Sequence, residues 1–369
     1  MDLQRTDPAA PDVDMAAIVA REIAVDAALV DWRLLDHWST DWIEPATSWS
    51  RAVWRLAESL GPLPLDAPCR HAAERLAAAP IFICGAHRSG TTLMRDLLDG
   101  HPALATLPAE GRYFGNWEHR LGADPAGAVP VWAQEWLHRL ANPSCQPPYW
   151  ALGRSTDRAS PYVEFARAML AWDCVLASRN MTCKPLATFA LAFATASAGR
   201  LDPLRHWVDK TPGYEFHLRS IWSAFPRAKV IHMVRKPQDI AISYKTGLAR
   251  TKLSSAPMPR MLRNLARSYC AGLCAARFAP AGQYRVVHYE ALTADRTGTM
   301  AGVCDFLGLD WHDCLMQQTT MDRAAAPNSS FHGMDRTAFR PASPTERLWL
   351  ALARLCHRGF LDRHRNSAG

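Results

Sequence analysis

A glycine-bounded loop near residue 90 restricts the possible folds more than any other part of this chain. The loop reads Gly85-Ala86-His87-Arg88-Ser89-Gly90-Thr91-Thr92, with the apolar residues 80–84 before it and the helix-forming residues 93–98 after it. A strand, a glycine turn and a helix N-terminus together form an anion site, because backbone N–H groups and the helix dipole both favour negative charge. The spacing is that of a phosphate-binding loop, except that Thr91 occupies the usual lysine position and Arg88 supplies the cation.

Two further apolar runs predict additional strands of the same sheet. Residues 229–234 and 284–289 are short and apolar, and each lies between stretches with helical patterns. Short apolar strands that alternate with helices favour a parallel sheet covered by helices on both faces. We therefore predict an α/β fold, with a last helix over about residues 345–361.

The N-terminal part of the chain has a different pattern. Residues 14–38 have the spacing of an amphipathic helix, and Ser48 is a predicted N-cap of a second helix that stops at Gly61. The proline-rich stretch that follows is typical of a linker. We therefore interpret residues 1–70 as a helical extension and residues 71–369 as the main domain.

The charge of the chain is distributed unevenly and bears on its partners. Residues 1–60 contain 11 acidic and 5 basic residues, whereas the rest contains 24 acidic and 37 basic residues. A basic body suits an anionic ligand, and since no nucleic-acid-binding signature accompanies the charge, we expect no nucleic-acid partner.

The N-terminus lacks the pattern of a secretory signal, and no run reaches the roughly 18 apolar residues of a membrane span. The ten cysteines lack metal-ligand spacing, so we expect reduced thiols, no metal site and a cytoplasmic protein.

A second anion site is predicted at the end of the strand over residues 229–234. Arg235 follows this strand, Pro237 can occupy the first turn of a helix, and Ser243 lies two turns along. The guanidinium group of Arg235 can form a fork with a phosphate, to which the hydroxyl of Ser243 can also donate. Taken alone, the pair could equally be a surface arginine and an ordinary helix serine.

Together the two sites resemble the two nucleotide signatures of the sulfotransferases that use 3′-phosphoadenosine 5′-phosphosulfate (PAPS). The residues that carry the resemblance are Arg88-Ser89-Gly90-Thr91-Thr92-Leu93 and the pattern from Arg235 to Ser243. Further similar blocks lie at residues 93–102, 209–212, 288–292 and 304–309, and they are most similar to the bacterial and tyrosylprotein-sulfotransferase-like branch. The resemblance implies a P-loop sulfotransferase-like fold, in which helices flank a central parallel sheet.

The resemblance also implies how the donor PAPS is bound. In this family the first loop holds the 5′-phosphosulfate, which here assigns that role to Arg88, Ser89, Gly90, Thr91 and Thr92. The arginine and serine of the second signature hold the 3′-phosphate, which corresponds to Arg235 and Ser243. Tyr289 resembles a tyrosine that meets the adenine, although it could be a packing residue at a strand end.

The chemistry of the two sites favours sulfuryl transfer over phosphoryl transfer. Nucleotide triphosphatases use a loop lysine and a strand-end aspartate that binds magnesium, whereas this chain has Thr91 and Arg235 at those positions. Transfer of a sulfuryl group from PAPS to an acceptor hydroxyl, with release of 3′-phosphoadenosine 5′-phosphate (PAP), requires no metal. Arg88 can neutralise the leaving phosphate. A P-loop small-molecule kinase and a nucleotide-binding module without catalysis remain as alternatives.

An acceptor hydroxyl that attacks sulfur must lose its proton to a base. Glu110 is the first candidate, since it lies within about one residue of the catalytic glutamate of the tyrosylprotein branch. Lys210 resembles the family lysine that steadies the transferring group. The cytosolic small-molecule branch uses a histidine instead, so three histidines stay open as alternatives: His119, His206 and His217. Glu110 could also be a solvated loop acid or a helix cap.

The acceptor side is predicted less sharply. Residues 115–200 are mostly helical in pattern and are interpreted as an acceptor-side insertion. Its tryptophans could stack on an acceptor, but they are more often core residues: Trp117, Trp132, Trp136, Trp150 and Trp172. A basic stretch after the second site could attract an acidic acceptor, close over PAPS or be only a solvated helix face: Arg250, Lys252, Arg260 and Arg263. Arg336 and Arg340 lie in a loop where relatives often close a basic residue over the nucleotide. Small-molecule, carbohydrate, lipid and peptide acceptors all fit this pattern.

Overall fold

A five-stranded parallel sheet forms the centre of the molecule. The computed structural model describes residues 43–122, 127–141, 152, 160–177, 183–198, 201–250, 257–320, 323–324, 341 and 343–366. The strands are β1 (Ile81–Cys84), β2 (Leu104–Thr106), β3 (His206–Lys210), β4 (Lys229–Val234) and β5 (Tyr284–His288), and their order across the sheet is β2-β3-β1-β4-β5. All four neighbouring pairs are parallel. The predicted α/β class is therefore confirmed, and the three predicted strands are β1, β4 and β5.

Helices cover both faces of the sheet. The short antiparallel pair β6 (Thr319–Thr320) and β7 (Arg323–Ala324) lies apart from it. The helices are α1 (Ile43–Leu60), α2 (Ala67–Ala78), α3 (Thr91–Leu98), α4 (Glu118–Gly122), α5 (Ala128–Ala141), α6 (Ser160–Leu176), α7 (Lys184–Ala198), α8 (Leu218–Ala224), α9 (Pro237–Arg250), α10 (Met258–Phe278), α11 (Tyr289–Ala294), α12 (Arg296–Leu307) and α13 (Pro344–Asn366). Helix α13 corresponds to the predicted last helix. No helix within the described ranges is both long and apolar enough to cross a bilayer.

Alternating residues of β1 explain how the two faces of the sheet are filled. Phe82 and Cys84 point into an aromatic-rich core, whereas Ile81 and Ile83 point into a second core of aliphatic residues. The ring of Phe82 makes edge contacts with Trp207 of β3 at a centroid distance of 5.5 Å. Because both faces are buried, β1 is an uninterrupted apolar run rather than an alternating one.

The tryptophans within residues 115–200 that the structure describes belong to this aromatic-rich core. Trp132, Trp136 and Trp172 are fully buried, and Trp117 is almost so. Trp136 stacks on Phe189 with their centroids 3.8 Å apart. The interpretation of these tryptophans as core residues is therefore the correct one, and they are not available to stack on an acceptor.

Helix α1 packs onto the same core through Val53, Trp54 and Ala57. It begins at Ile43, so the predicted N-cap at Ser48 is wrong; Ser48 lies inside the helix. Serine is favoured at an N-cap, but it also occurs within helices, and the sequence pattern did not separate the two positions. The predicted stop is confirmed, because Gly61 has a φ of 76° directly after the helix. The predicted helix over residues 14–38 lies outside the described part of the chain.

Candidate active site

The carboxyl ends of all five parallel strands contribute to one region. The phosphate loop follows β1, Glu110 follows β2, Lys210 ends β3, Arg235 follows β4 and Tyr289 follows β5. Ligands of open α/β sheets bind in the crevice at this edge. Residues that are widely separated in the sequence are therefore brought together by the order of the strands.

The phosphate loop depends on its two glycines. Gly85 has a φ of 135°, and a Cβ atom there would lie 2.3 Å from the carbonyl oxygen of Met233. Gly90, directly before helix α3, has a φ of 102°, and a Cβ atom there would lie 2.5 Å from the ring of Tyr289. Both positions therefore require glycine for two reasons, the left-handed backbone and the close neighbours. Within the loop, the amide of Ser89 donates to the carbonyl oxygen of Ala86 at 3.1 Å.

The predicted 3′-phosphate residues lie directly against this loop. Arg235 Nη1 donates to the carbonyl oxygen of Arg88 at 3.0 Å, and its guanidinium carbon lies 4.2 Å from the ring centroid of Tyr289. Arg88 in turn reaches toward the backbone of Ser243, with 3.5 Å between Nη2 and the carbonyl oxygen. Burial, and secondarily the charge of Arg235, lowers the pKa of Arg88. Two neighbouring guanidinium groups repel each other, and a bound anion would relieve that repulsion.

The backbone around Arg235 is fixed from two sides. The hydroxyl of Tyr269, on helix α10, donates to the Arg235 carbonyl oxygen. The next amide, that of Lys236, donates to Glu290 Oε1 at 2.8 Å. Pro237 then begins helix α9, as predicted, and Ser243 on this helix is buried. The side chain of Arg235 therefore extends from a strand end whose backbone is held by these two hydrogen bonds.

Glu110 forms two ion pairs beside the phosphate loop. Lys210 Nζ lies 2.9 Å from its Oε1 atom, and Arg112 donates to its Oε2 atom from Nε at 3.0 Å and from Nη2 at 2.8 Å. Burial alone would raise the pKa of Glu110, but the charges and hydrogen bonds of Lys210 and Arg112 outweigh it and lower the pKa to about 2. Glu110 is therefore ionised at neutral pH, and it is neither a freely solvated acid nor a helix cap.

Basic residues from two helices hold the loop that carries Glu110. Arg139 Nη1, on helix α5, donates to the carbonyl oxygen of Glu110 at 2.7 Å. Arg95 Nη1, on helix α3, donates to the carbonyl oxygen of Pro108 at 2.7 Å. Because α3 also begins at the phosphate loop, Arg95 links the position of Glu110 to that loop.

A cleft of about 380 Å³ opens beside Glu110 and Arg112 and reaches the phosphate loop. Its lining includes His87 of the loop, Glu110 and Arg112, together with the aromatic rings of Phe114 and Phe216. The volume is sufficient for part of an acceptor molecule next to Glu110. No role was predicted for His87 or Arg112 from the sequence, although His87 lies within the phosphate loop and Arg112 lies two residues after Glu110.

The three candidate histidines lie in different places. His217 lines the cleft, and burial lowers its pKa. His119 is exposed on helix α4. His206 lies at the opposite edge of the sheet, where its Nδ1 atom is 2.7 Å from the carbonyl oxygen of Ala79. Of the three, only His217 borders the same cleft as Glu110.

None of the remaining basic candidates has a described side chain that contacts the loop or Glu110 in the way that Arg88, Arg112 and Arg235 do. Arg260 and Arg263 are exposed on helix α10, and Arg250 ends helix α9. Other candidates lie outside the described residues: Trp150, Lys252, Arg336 and Arg340. Among the residues that the structure describes, no group of three or more His, Cys, Asp and Glu side chains could hold a metal ion.

A buried carboxylate that sequence analysis missed supports the phosphate loop. Glu215 Oε2 accepts the amides of Gly85 and Gly213, each at 3.0 Å, and its other oxygen accepts the hydroxyl of Ser268. Burial raises the pKa of this carboxyl group. Its position in Asp209-Lys210-Thr211-Pro212-Gly213-Tyr214-Glu215 was visible in the sequence, but its contact with residue 85 was not.

Comparison with known proteins identifies related chains. Residues 80–313 match the model of a sulfotransferase family. A curated relative, nodulation protein NoeE of Sinorhizobium fredii, is 31% identical over 172 residues. That match covers 45% of this chain and only 30% of the relative, so the chain corresponds to less than a third of the length of NoeE.

Solved structures with similarity to this chain include two bacterial proteins. The sulfotransferase domain of the Synechococcus PCC 7002 olefin synthase is 20% identical, with a TM-score of 0.46, over 75% of this chain and 94% of that domain. Sulfotransferase STF9 of Mycobacterium avium is 14% identical, with a TM-score of 0.46, over 97% of both chains.

Proposed function

Because the chain belongs to the sulfotransferase family, whose model matches residues 80–313, we propose that it transfers the sulfuryl group of PAPS to an acceptor hydroxyl and releases PAP. The observation that carries this proposal is the ion pair of Glu110 and Lys210, 2.9 Å long, beside the cleft that also reaches the phosphate loop. A base, a cation and an anion-binding loop are the groups that sulfuryl transfer needs.

The proposed binding of PAPS uses both anion sites. The loop residues Arg88 to Thr92 receive the 5′-phosphosulfate at the N-terminus of helix α3, where amides and the helix dipole favour an anion. Arg235 and Ser243 receive the 3′-phosphate. The face of Tyr289 is already in contact with Arg235, which supports a place for the adenine beside these residues.

In the proposed reaction, the acceptor hydroxyl lies in the cleft and gives its proton to Glu110. Its oxygen forms a bond to sulfur while the bond from sulfur to the bridging oxygen breaks in line. The electron pair of that bond remains on the 5′-phosphate of PAP, where Lys210 and Arg88 stabilise the charge. When Lys210 turns from Glu110 toward the donor, the carboxylate loses one of its two cations, and it becomes a stronger base.

The alternatives predict different ligands. A small-molecule kinase would bind ATP with magnesium, and it would use a loop lysine where this chain has Thr91. A binding module would hold PAP without turnover. The acceptor class stays open among small molecules, carbohydrates, lipids and peptides. We place the reaction in the cytoplasm, where thiols such as the nine free ones among the described residues stay reduced.

A binding panel tests the donor. PAP, PAPS and ATP with magnesium are titrated by calorimetry into the wild-type chain, Arg235→Ala and the control Arg227→Ala, an exposed arginine at the opposite end of β4. We expect the wild type to bind PAP and PAPS, Arg235→Ala to bind both at least about 100-fold more weakly, and Arg227→Ala to bind as the wild type does. Binding of ATP with magnesium but not of PAP would refute the proposal. Labelled PAPS with acceptors of each class then tests for transfer.

A further inference from the structure

Asp209 is a buried carboxylate that contacts the segment directly after Glu110. Its Oδ1 atom accepts the amide of Gly111 at 3.0 Å and the hydroxyl of Thr211 at 3.1 Å. That hydroxyl in turn accepts the amide of Arg112 at 3.1 Å. One carboxylate oxygen therefore binds two consecutive amides: that of Gly111 directly, and that of Arg112 through the hydroxyl of Thr211.

The second oxygen of Asp209 holds the third amide. Tyr214 donates its hydroxyl to Oδ2 at 3.0 Å, and the same hydroxyl oxygen accepts the amide of Tyr113 at 2.8 Å. The three backbone amides after Glu110 are thus all bound through the carboxylate of Asp209. The carboxylate also lies close to the backbone of Gly111. A Cβ atom at Gly111 would lie 2.2 Å from Oδ2 of Asp209, so only glycine fits there.

The charge of Asp209 is unfavourable for folding. The side chain is fully buried, and burial outweighs the hydrogen bonds from Gly111, Tyr214 and Thr211, so that the pKa of the carboxyl group is raised to about 6. A neutral residue at this position would avoid the desolvation of a carboxylate. The carboxylate nevertheless has stronger hydrogen-bond acceptors than a side-chain amide would have. Both of its oxygens are used, directly or through a hydroxyl, to bind residues 111–113.

We propose that Asp209 is the positioning residue for Glu110: its carboxylate fixes residues 111–113, and thereby sets Glu110 and Arg112 relative to Lys210. The neighbouring residue Lys210 binds the side chain of Glu110, so one strand end holds both the side chain and the backbone that follows it. The inference rests on the proposed function, in which Glu110 is the base. A displacement of about 1 Å at a reacting group lowers turnover on the order of a hundredfold.

Glu215, on the short helical turn Tyr214–Phe216 that follows strand β3, provides a contrast. It is likewise a buried carboxylate, but it accepts the amide of Gly85, at the start of the phosphate loop. Loss of its charge is expected to affect the donor site, and loss of the charge of Asp209 to affect the base. Two similar substitutions, Asp209→Asn and Glu215→Gln, therefore have different expected signatures.

The experiment compares the wild-type chain with Asp209→Asn, Tyr214→Phe and Glu215→Gln. Hydrogen exchange of a peptide that covers residues 111–113 is measured first, because it does not depend on activity. We expect exchange there to become at least about threefold faster in Asp209→Asn and Tyr214→Phe, and to stay unchanged in Glu215→Gln. Unchanged exchange in both Asp209→Asn and Tyr214→Phe would overturn the proposal, even in a chain without any transfer activity.

Steady-state kinetics with PAPS then separate positioning from folding. For Asp209→Asn we expect kcat to fall by about 10- to 100-fold, with a KM for PAPS within about threefold of the wild type, while the variant stays folded at the assay temperature. For Glu215→Gln we expect mainly a higher KM for PAPS. A kcat of Asp209→Asn within threefold of the wild type would overturn the proposal. So would a fall in kcat that is fully accounted for by unfolded protein in both Asp209→Asn and Tyr214→Phe.

Discussion

Replacement of Glu110 by glutamine tests the site most informatively, because it removes one charge and keeps the shape of the side chain. Lys210 has 6% of its side chain exposed and Glu110 has 22%, so the pair is largely shielded from water. In Glu110→Gln the ammonium group of Lys210 stays buried without this partner. We therefore expect a loss of both turnover and stability.

The size of the stability loss follows from the pKa of Glu110. Its fall from 4.5 to about 2 corresponds to about 3 kcal/mol of favourable interaction with the ionised form. Partial exposure reduces this, and we expect Glu110→Gln to lower the free energy of unfolding by about 2–3 kcal/mol. With about 2–4 °C per kcal/mol for domains somewhat smaller than this one, the melting temperature falls by roughly 5–10 °C.

The loss of turnover is expected to be much larger than this stability change implies. Removal of a general base lowers kcat by about 10²- to 10⁴-fold, while at the assay temperature the variant remains folded. The assay is transfer of labelled sulfate from PAPS, with PAP binding by calorimetry as the measure of an intact donor site. Asp173→Asn, which breaks the ion pair with Lys184 between helices α6 and α7, is the matched control. Turnover of Glu110→Gln within threefold of this control would refute the assignment of the base.

Three further predictions concern the donor site and the dependence on pH. Arg235→Ala removes the contacts with Arg88 and Tyr289 and should weaken PAP binding at least about 100-fold by calorimetry. Gly90→Ala places a Cβ atom 2.5 Å from the Tyr289 ring and should abolish PAP binding, whereas Gly282→Ala, where φ is also positive but nothing lies within 4 Å, should leave it unchanged. Equal binding by the two alanine variants would contradict the role of the loop. Because the pKa of Glu110 is depressed, its contribution to stability is complete above pH 4.5 and lost toward pH 2. Urea titrations of the wild type and Glu110→Gln should therefore converge over that range, and a constant difference would contradict it.

Two of the three strands that the sequence predicted correctly, β1 and β4, are buried on both faces, whereas β5 is mostly half-buried. Residues 81–84 and 229–234 are apolar almost throughout, so their pattern indicates a buried parallel strand. Strand β3, His206–Lys210, was missed because charged groups at its end serve the site, which leaves only Trp207 and Val208 as an apolar signal. Strand β2 has three residues, too few for any periodicity.

The site was predictable to the extent that its motifs are local. The phosphate loop, Arg235 and Ser243 were identified from short patterns, and the structure brings these residues together. The network around Asp209 could not be predicted in the same way, because the bond to Gly111 joins residues 98 positions apart. Such a contact depends on the order of β2 and β3 in the sheet, which no local pattern specifies.

One measurement tests the central claim most directly: PAPS labelled in its sulfuryl group is incubated with the wild-type chain, a panel of hydroxyl acceptors and EDTA. The account predicts that label moves to an acceptor, that PAP forms in equal amount, and that chelation of metal ions does not slow the reaction. Absence of transfer to every acceptor class, with PAP bound but never formed, would contradict it. Transfer of phosphate from ATP that requires magnesium would contradict it as well.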